Sequence, residues 1–243
     1  MLRKSYRHYA MCGDSTSEDD VAKLMGGEKA DMVFTSPPYG VSVDSLRGGF
    51  KKQKKLYNEY EDTPKETKEV NKKALSIALG VSDVVFWNIQ YGTGNKEWFF
   101  DVLLLNKLVD IFIWSKTNPP PGSFDNIATS GFEFIFLFSN TIKGRKVPRG
   151  SFKGHELSTV YTSAVTRMNN GHKASFSLEM VNHFLSKIDG ETVYEPFLGS
   201  GSTLIACEKT NRKCYGMEID VKYMNTILKR FEEYSGDTVE LAC

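Results

Sequence analysis

The chain has 243 residues, of which 40% are hydrophobic and 25% charged; this ordinary globular usage excludes collagen-like, low-complexity and wholly disordered chains. At about 100–200 residues per domain it is one sizeable domain with room for a real core. Lysine and arginine number 31 against 30 acids, a net charge of +1, so no global field drives the chain onto nucleic acid or an anionic membrane, and any basic footprint must be local. The cysteines Cys12, Cys207, Cys214 and Cys243 form no C-x-x-C pair and have no adjacent His at ligand spacing. That argues against a metal site or a disulfide framework and fits a reducing cytoplasm. The segment Met1 to His8 lacks the apolar stretch of a signal peptide, and no apolar run approaches the roughly 18 residues of a membrane span. A cytoplasmic protein with neither membrane nor metal as partner is the expectation.

No internal repeat is visible, which sets aside solenoids and propellers. Val21, Leu24 and Met25 predict a short helix, and Asp31–Thr35 a strand. Ser36-Pro37-Pro38-Tyr39-Gly40 stops that strand, because neither proline can donate to a ladder. Residues 41–69 are polar, carry Gly48-Gly49 and the run Lys51-Lys52-Gln53-Lys54-Lys55, and predict a long exposed loop. A helix through Val70, Ala74, Ile77 and Ala78 is expected next. Short apolar segments at Asp83–Trp87, Val109–Trp114 and Phe132–Phe138 then read as strands buried on both faces. Between 140 and 174 the chain turns polar again, with Lys143, Arg145, Lys146, Arg149, Lys153, Arg167 and Lys173 against one acid, Glu156. Beyond it come a helix with Leu178, Val181, Phe184, Leu185 and Ile188 on one face, a strand Thr192–Tyr194 and a glycine-rich turn. A helix from Ser202, a strand Cys214–Ile219 and a final helix carrying Val221, Met224, Ile227, Leu228 and Phe231 complete the series. Strand alternating with helix predicts an open, mostly parallel α/β sheet.

Two segments carry chemistry. In Val193-Tyr-Glu195-Pro-Phe197-Leu-Gly199-Ser200-Gly201-Ser-Thr203 a strand runs into glycines and then a helix N-terminus, where absent side chains let a ligand lie against the backbone. Leu204 stands where a dinucleotide fingerprint needs its third glycine, so a pyrophosphate is not the obvious ligand. Glu195 at the strand end would repel phosphate but pair with a cationic amine. Glu218 ends the next strand, where an acid commonly accepts hydrogen bonds from ribose hydroxyls. An amine plus a ribose without phosphate describes S-adenosylmethionine. Taken alone, the glycines are equally compatible with a helix-capping turn, and Glu218 with a solvated acid.

The second segment, Ser36-Pro37-Pro38-Tyr39, follows a buried strand and so should lie at the carboxyl edge of the sheet, where open α/β folds bind ligands. Its prolines stiffen the turn. The Ser36 hydroxyl and the Pro37 carbonyl can accept hydrogen bonds from an exocyclic amino group, and Tyr39 offers a face on which a planar base can stack. Such an amino group is a poor nucleophile because its lone pair is delocalised into the ring. Accepting both hydrogens pulls the nitrogen toward a pyramidal shape and frees the lone pair for attack on a sulfonium methyl, so catalysis would come mainly from positioning.

Together, Phe34-Thr-Ser-Pro-Pro-Tyr39, Glu195 to Thr203 and Glu218 resemble the amino-group DNA methyltransferases that modify cytosine N4 or adenine N6. The order, catalytic motif before cofactor motif, is similar to the permuted β-class of that family. The resemblance implies an α/β, Rossmann-like S-adenosylmethionine-dependent methyltransferase fold with a mostly parallel central sheet and a small basic insert. It implies a single domain over 1–243, with a catalytic half 1–139, a target-recognition insert 140–171 and a cofactor half 172–243. Ser36, Pro37, Pro38 and Tyr39 would be catalytic. Glu195, Phe197, Gly199, Ser200, Gly201 and Glu218 would hold the cofactor, as would Asp14, in a Gly-Asp that in the family bonds the adenine, and Phe176, in a segment that packs on the cofactor. Ile113 to Pro119 and Phe132 to Ser139 resemble the strands flanking the target-base pocket. Glu195 stands where the family usually has Asp, Ser202 where Thr is common and Lys173 where Pro is usual. An insert of about 35 residues is short for strict sequence recognition, and a homodimer would supply further DNA contacts.

Reaching an amino group inside a duplex requires flipping the base out, at a cost of a few kcal/mol that phosphate contacts must offset. Lys51, Lys52, Lys54 and Lys55 after the catalytic motif, with Lys143, Arg145, Lys146, Arg149 and Lys153, are the candidate phosphate contacts on duplex DNA. Ser36, preceded by Thr35, resembles the cytosine-N4 subgroup more than the adenine-N6 subgroup, where Asp is frequent. RNA or a protein glutamine amide as substrate would more usually go with Asn at position 36 and the cofactor motif first. A non-catalytic binding homologue would have no reason to keep Ser36, Tyr39 and Glu218.

Overall fold

The computed structural model describes residues 8–39, 64–104, 106–119, 128–165 and 177–240. In chain order these form β1 (Tyr9–Cys12), α1 (Glu18–Met25), β2 (Met32–Thr35), α2 (Pro64–Val81), β3 (Val85–Ile89), α3 (Phe99–Leu104) and β4 (Leu108–Lys116). There follow β5 (Phe132–Phe138), β6 (Val160–Ser163), α4 (Leu178–Leu185), β7 (Thr192–Glu195), α5 (Ser202–Lys209), β8 (Lys213–Glu218) and α6 (Val221–Ser235). Among the described residues the strands make one sheet in the order β1-β8-β7-β2-β3-β5-β4-β6. Only β5 runs antiparallel to its neighbours. Strands β2, β7 and β8 have their carboxyl ends on one edge, so the turns that follow them open on the same side of the molecule.

Alternation along the strands builds a core on each face. Phe34, Phe86, Phe112 and Phe184 interlock on one side, with ring centroids 5.3–6.1 Å apart. On the other, Val33, Trp87, Phe136 and Tyr194 pack under α1, α2 and α3. Every residue of β2 and β3 is buried, as an inner strand covered on both faces requires. Helix α1 is capped at both ends: the Ser17 hydroxyl accepts from the Asp20 N–H at its start, and Gly26, at φ 58°, ends it.

Three features differ from the sequence reading. Helix α2 begins at Pro64, inside the stretch read as loop, because proline suits the first helical position and the buried face there is polar, with Thr67 and Asn71 in line with Ala74, Leu75 and Ala78. Strands β1 and β6 and helix α3 were not anticipated; all are short. Most consequential, residues 140–165, though mostly exposed, are tied into the sheet and core. They add β6 to the edge of the sheet beside β4 and lay Ile142, Val147, Phe152, Leu157, Tyr161 and Val165 on the core.

Candidate active site

Strand β2 lies between β3, its successor in sequence, and β7, which comes some 160 residues later, with Met32 opposite Val193 and Val33 opposite Tyr194. The chain therefore leaves β2 toward one side of the sheet and β7 toward the other. The crevice at such a switch point is where open α/β sheets bind ligands. Ser36–Tyr39 leaves β2 and Pro196–Gly201 leaves β7 into this crevice, so the two motifs separated in sequence become neighbours.

The catalytic turn is held from beneath. Asn71 of α2 is fully buried and donates from Nδ2 to the Pro38 carbonyl at 3.1 Å, while Trp87 Nε1 donates to Asn71 Oδ1 at 3.1 Å. With the Pro38 carbonyl taken, the Pro37 carbonyl is the prolyl acceptor for which the described residues show no donor. Tyr39 is half-buried, and its hydroxyl turns inward, 2.5 Å from Ser36 Oγ, 3.3 Å from Asn88 Oδ1 and 3.2 Å from Glu133 Oε2. Burial, with the Glu133 carboxylate beside it, pushes the Tyr39 phenol well above its ordinary range, so it stays protonated. Glu133 in turn meets Lys116 Nζ at 2.7 Å. Sequence reasoning missed Asn71 and Asn88 as members of the site, and it included Lys116 and Glu133 only within the segments Ile113 to Pro119 and Phe132 to Ser139 likened to strands flanking the target-base pocket. The available signal was Glu133 itself, the one charge in the run Phe132–Phe138.

On the β7 side the glycine turn is in the left-handed region, with φ 52° at Gly199 and 77° at Gly201, which also starts α5 without a side-chain cap. A Cβ added at Gly199 would meet nothing nearer than the Phe197 carbonyl at 3.8 Å, so room lies against that backbone for a ligand. Glu218 closes the turn from β8: its Oε2 accepts from the Gly199 N–H at 2.9 Å and its Oε1 from the Asp220 N–H at 3.1 Å. Each oxygen retains a lone pair for a further donor. Burial raises the Glu218 carboxyl above its ordinary value despite these bonds. Asp14 reaches the same edge, since the Gly13 N–H donates to the Glu218 carbonyl at 3.1 Å, and its Oδ1 accepts from the N–H and hydroxyl of Thr16. Ser200 is buried, 3.2 Å from Ser202 Oγ, and its carbonyl accepts from Arg230. Phe197 packs edge-on to Trp87 at 6.0 Å.

Glu195 departs from expectation. It is 1% exposed, and its oxygens accept from the hydroxyls of Thr35 and Thr203 and from the Phe197 N–H. Burial pushes its carboxyl up to about 8, so in the folded chain at neutral pH it is mostly protonated. Rather than an anion open to an amine, it is a bracket joining β2, β7 and α5.

Two of the basic residues expected on DNA are engaged with acids. Arg145 pairs with Asp110 at 2.8 Å and Arg149 with Asp31 at 2.6 Å. Asp31 precedes β2 and Asp110 lies near the start of β4, so both pairs, with Lys146 between the arginines, sit at the amino edge of the sheet. From Asp31 to Ser36 the strand carries the chain about 16 Å at roughly 3.3 Å per residue. For Arg145 and Arg149, expected as phosphate contacts, the structure shows a different engagement: both are paired with acids at the edge opposite the catalytic motif. Lys51, Lys52, Lys54, Lys55 and Phe176 lie outside the described residues. Among the described residues no helix is long and apolar enough to cross a membrane, and no cluster of three or more His, Cys, Asp or Glu is placed to hold a metal.

Comparison with known proteins places this geometry. The chain is 26% identical over 253 aligned positions to the orphan methyltransferase M.BamHII of Bacillus amyloliquefaciens, covering 84% of this chain and 89% of that protein. It is 22% identical over 166 positions to the type II methyltransferase M.Cfr9I of Citrobacter freundii, covering 64% of this chain. The chain spans about half the length, 52%, of M.Cfr9I and of M.XycI from Xanthomonas campestris pv. cyanopsidis. Among solved structures it superposes on PvuII DNA methyltransferase (cytosine-N4-specific) with a TM-score of 0.68 at 16% identity, covering 93% of this chain and 87% of that one. For the complex of M1.HpyAVI with S-adenosylmethionine the TM-score is 0.60 at 20% identity, with 92% and 98% covered. These likenesses establish the fold. A family model described as DNA methylase, of the N6/N4 type, matches residues 30–229, a span that takes in both motifs of the crevice, and the chain belongs to that family of amino-group DNA methyltransferases.

Proposed function

We propose that this chain transfers the methyl group of S-adenosylmethionine to the exocyclic amino group of a base turned out of duplex DNA, with cytosine N4 preferred over adenine N6. The observation that carries the reading is the meeting of Ser36–Tyr39 and Phe197–Gly201 at one crevice, on adjacent parallel strands. The residues fit the cofactor: a glycine turn with open space against its backbone, and Glu218 with lone pairs to spare for ribose hydroxyls. Gly199, Ser200, Gly201 and Glu218 would hold it, with Phe197 and Asp14 at its flanks. When bound, the cofactor supplies an electrophilic methyl on a sulfonium.

The chain's own part is positional. Ser36 Oγ and the Pro37 carbonyl accept the two amino hydrogens, drawing the nitrogen lone pair out of ring conjugation, while Asn71 holds the turn that fixes both acceptors. The ring of Tyr39 faces the base while its hydroxyl stays protonated and turned inward. Serine at position 36 supports the cytosine-N4 preference, through the likeness of this motif to that subgroup. Lys51, Lys52, Lys54 and Lys55, next along the chain from the motif, are the proposed phosphate contacts.

The test is to incubate the purified protein with S-adenosylmethionine and unmodified mixed-sequence duplex DNA, digest to nucleosides and identify methylated products by mass spectrometry. A 4-methylcytosine peak is expected. A 6-methyladenine peak would keep the chemistry and overturn the choice of base; absence of any methylated nucleoside, with cofactor binding confirmed by calorimetry, would overturn the DNA reading.

A further inference from the structure

Behind the catalytic turn, five polar groups from four adjacent strands form a line running into the protein. Ser36 and Tyr39 follow β2, Asn88 stands on β3, Glu133 on β5 and Lys116 on β4, which is the order of these strands in the sheet. Lys116 and Glu133 are 5% and 8% exposed and 2.7 Å apart, and Lys116 also donates to Gln90 Oε1 at 3.2 Å. A buried ion pair of this kind is weak evidence for stability, because desolvation offsets most of the attraction. Its contacts with the catalytic turn suggest another use.

Counting hydrogens gives the direction of the line. Tyr39 has one hydroxyl hydrogen, and on its inner side stand two acceptors, Glu133 Oε2 at 3.2 Å and Asn88 Oδ1 at 3.3 Å. Neither has a hydrogen to offer: the Asn88 amide nitrogen is engaged with the Phe134 carbonyl at 3.1 Å, and a carboxylate paired with lysine is acceptor only. The Tyr39 hydrogen therefore points inward. The 2.5 Å approach of Ser36 Oγ to Tyr39 Oη still requires a hydrogen between the oxygens, and only Ser36 can supply it. With its hydrogen directed at Tyr39, Ser36 presents lone pairs to the crevice.

We infer that Glu133 and Lys116 are positioning residues that act through Tyr39 to hold Ser36 as a hydrogen-bond acceptor for the amino group. The inference rests on the methyl-transfer reading above. A serine hydroxyl can donate or accept, and only the accepting orientation loosens the target lone pair. Aspartate at position 36 would accept without help; serine needs a fixed acceptor behind it. Lys116, 2.7 Å from Glu133, fixes the carboxylate that orients Tyr39.

The experiment measures single-turnover methyl transfer to duplex DNA, with DNA KM and cofactor Kd, for the wild type, Tyr39→Phe and Glu133→Gln, each also combined with Ser36→Asp. In the serine background both substitutions are expected to slow transfer roughly 10- to 100-fold, the worth of a charge-assisted hydrogen bond, with KM and Kd changed less than about threefold. In the Ser36→Asp background the same substitutions are expected to cost under about threefold, since the relay is then unnecessary. Tyr39→Phe leaves the ion pair in place, so it decides the matter even if Glu133→Gln does not fold. Wild-type rates in Tyr39→Phe, equal losses in both backgrounds, or no transfer at all by Ser36→Asp would each overturn the relay while leaving the methyltransferase reading intact. A wild type that methylates no DNA overturns that reading and the relay with it.

Discussion

Replacing Glu195 by Gln tests whether the bracket between the two motifs is neutral in the folded chain. Burial is the dominant cause of the raised carboxyl and the nearby Glu218 adds to it, while the bonds from Thr35, Thr203 and the Phe197 N–H act in the opposite direction. The carboxyl titrates at about 8 in the folded chain, against an ordinary 4.5. Below pH 4.5 it is protonated folded or unfolded, so the two states do not differ. As pH rises, the unfolded chain releases a proton that the folded chain keeps, and stability falls by about 1.4 kcal/mol per pH unit. The loss levels off once the folded group also ionises, near pH 8, after a total of about 5 kcal/mol. Glutamine is neutral throughout and keeps an acceptor oxygen for Thr35 and the Phe197 N–H. Urea unfolding of both proteins at intervals from pH 4.5 to 8.5 therefore shows Glu195→Gln gaining on the wild type by several kcal/mol as pH rises. Parallel stability curves across that range would mean that Glu195 ionises normally and is not sealed between β2 and α5.

Four other outcomes are expected. Tyr39→Ala removes both the ring and the inward hydroxyl, and should cut turnover far more than cofactor affinity; equal loss of both in kinetics and calorimetry would place Tyr39 elsewhere. Glu218→Ala should weaken S-adenosylmethionine binding by about 1.5–3 kcal/mol, and an unchanged dissociation constant would remove Glu218 from the cofactor site. Asn71→Ala strands Trp87 Nε1 and the Pro38 carbonyl; at about 1–3 kcal/mol per buried unsatisfied group, chemical denaturation should show a loss of about 2–4 kcal/mol, and a loss under about 1 would mean the contacts are replaceable. Because Arg145 and Arg149 pair with acids at the amino edge, changing both to Ala should leave the salt dependence of DNA binding as it is, and a flatter slope would return them to the DNA interface.

Much of the site was legible because its chemistry is local. A strand that ends in Ser36-Pro-Pro-Tyr39 has to turn there, and Gly199 and Gly201 mark a tight turn in a backbone conformation that other residues rarely adopt, with φ values of 52° and 77°. Helix faces with a plain apolar stripe, such as Val21, Leu24 and Met25, were equally readable. Helix α2 was partly hidden because Thr67 and Asn71 occupy its buried face and look like loop residues until their partners are known. The short edge strands β1 and β6 have too few residues to show a period.

What the sequence alone determined is the class of fold, the family likeness and the identity of the two motifs, since each depends on residues within one turn or one strand of each other. The tertiary structure decided which groups face which. Glu195 became a buried bracket because β2 and α5 bring Thr35 and Thr203 against it, and the arginines of 140–153 were spent on acids that folding carried to the far edge. The line from Lys116 to Ser36 exists only because β4, β5, β3 and β2 lie side by side in an order that differs from their order in the chain. Pairing over such separations is set by packing and register, and no local pattern records it.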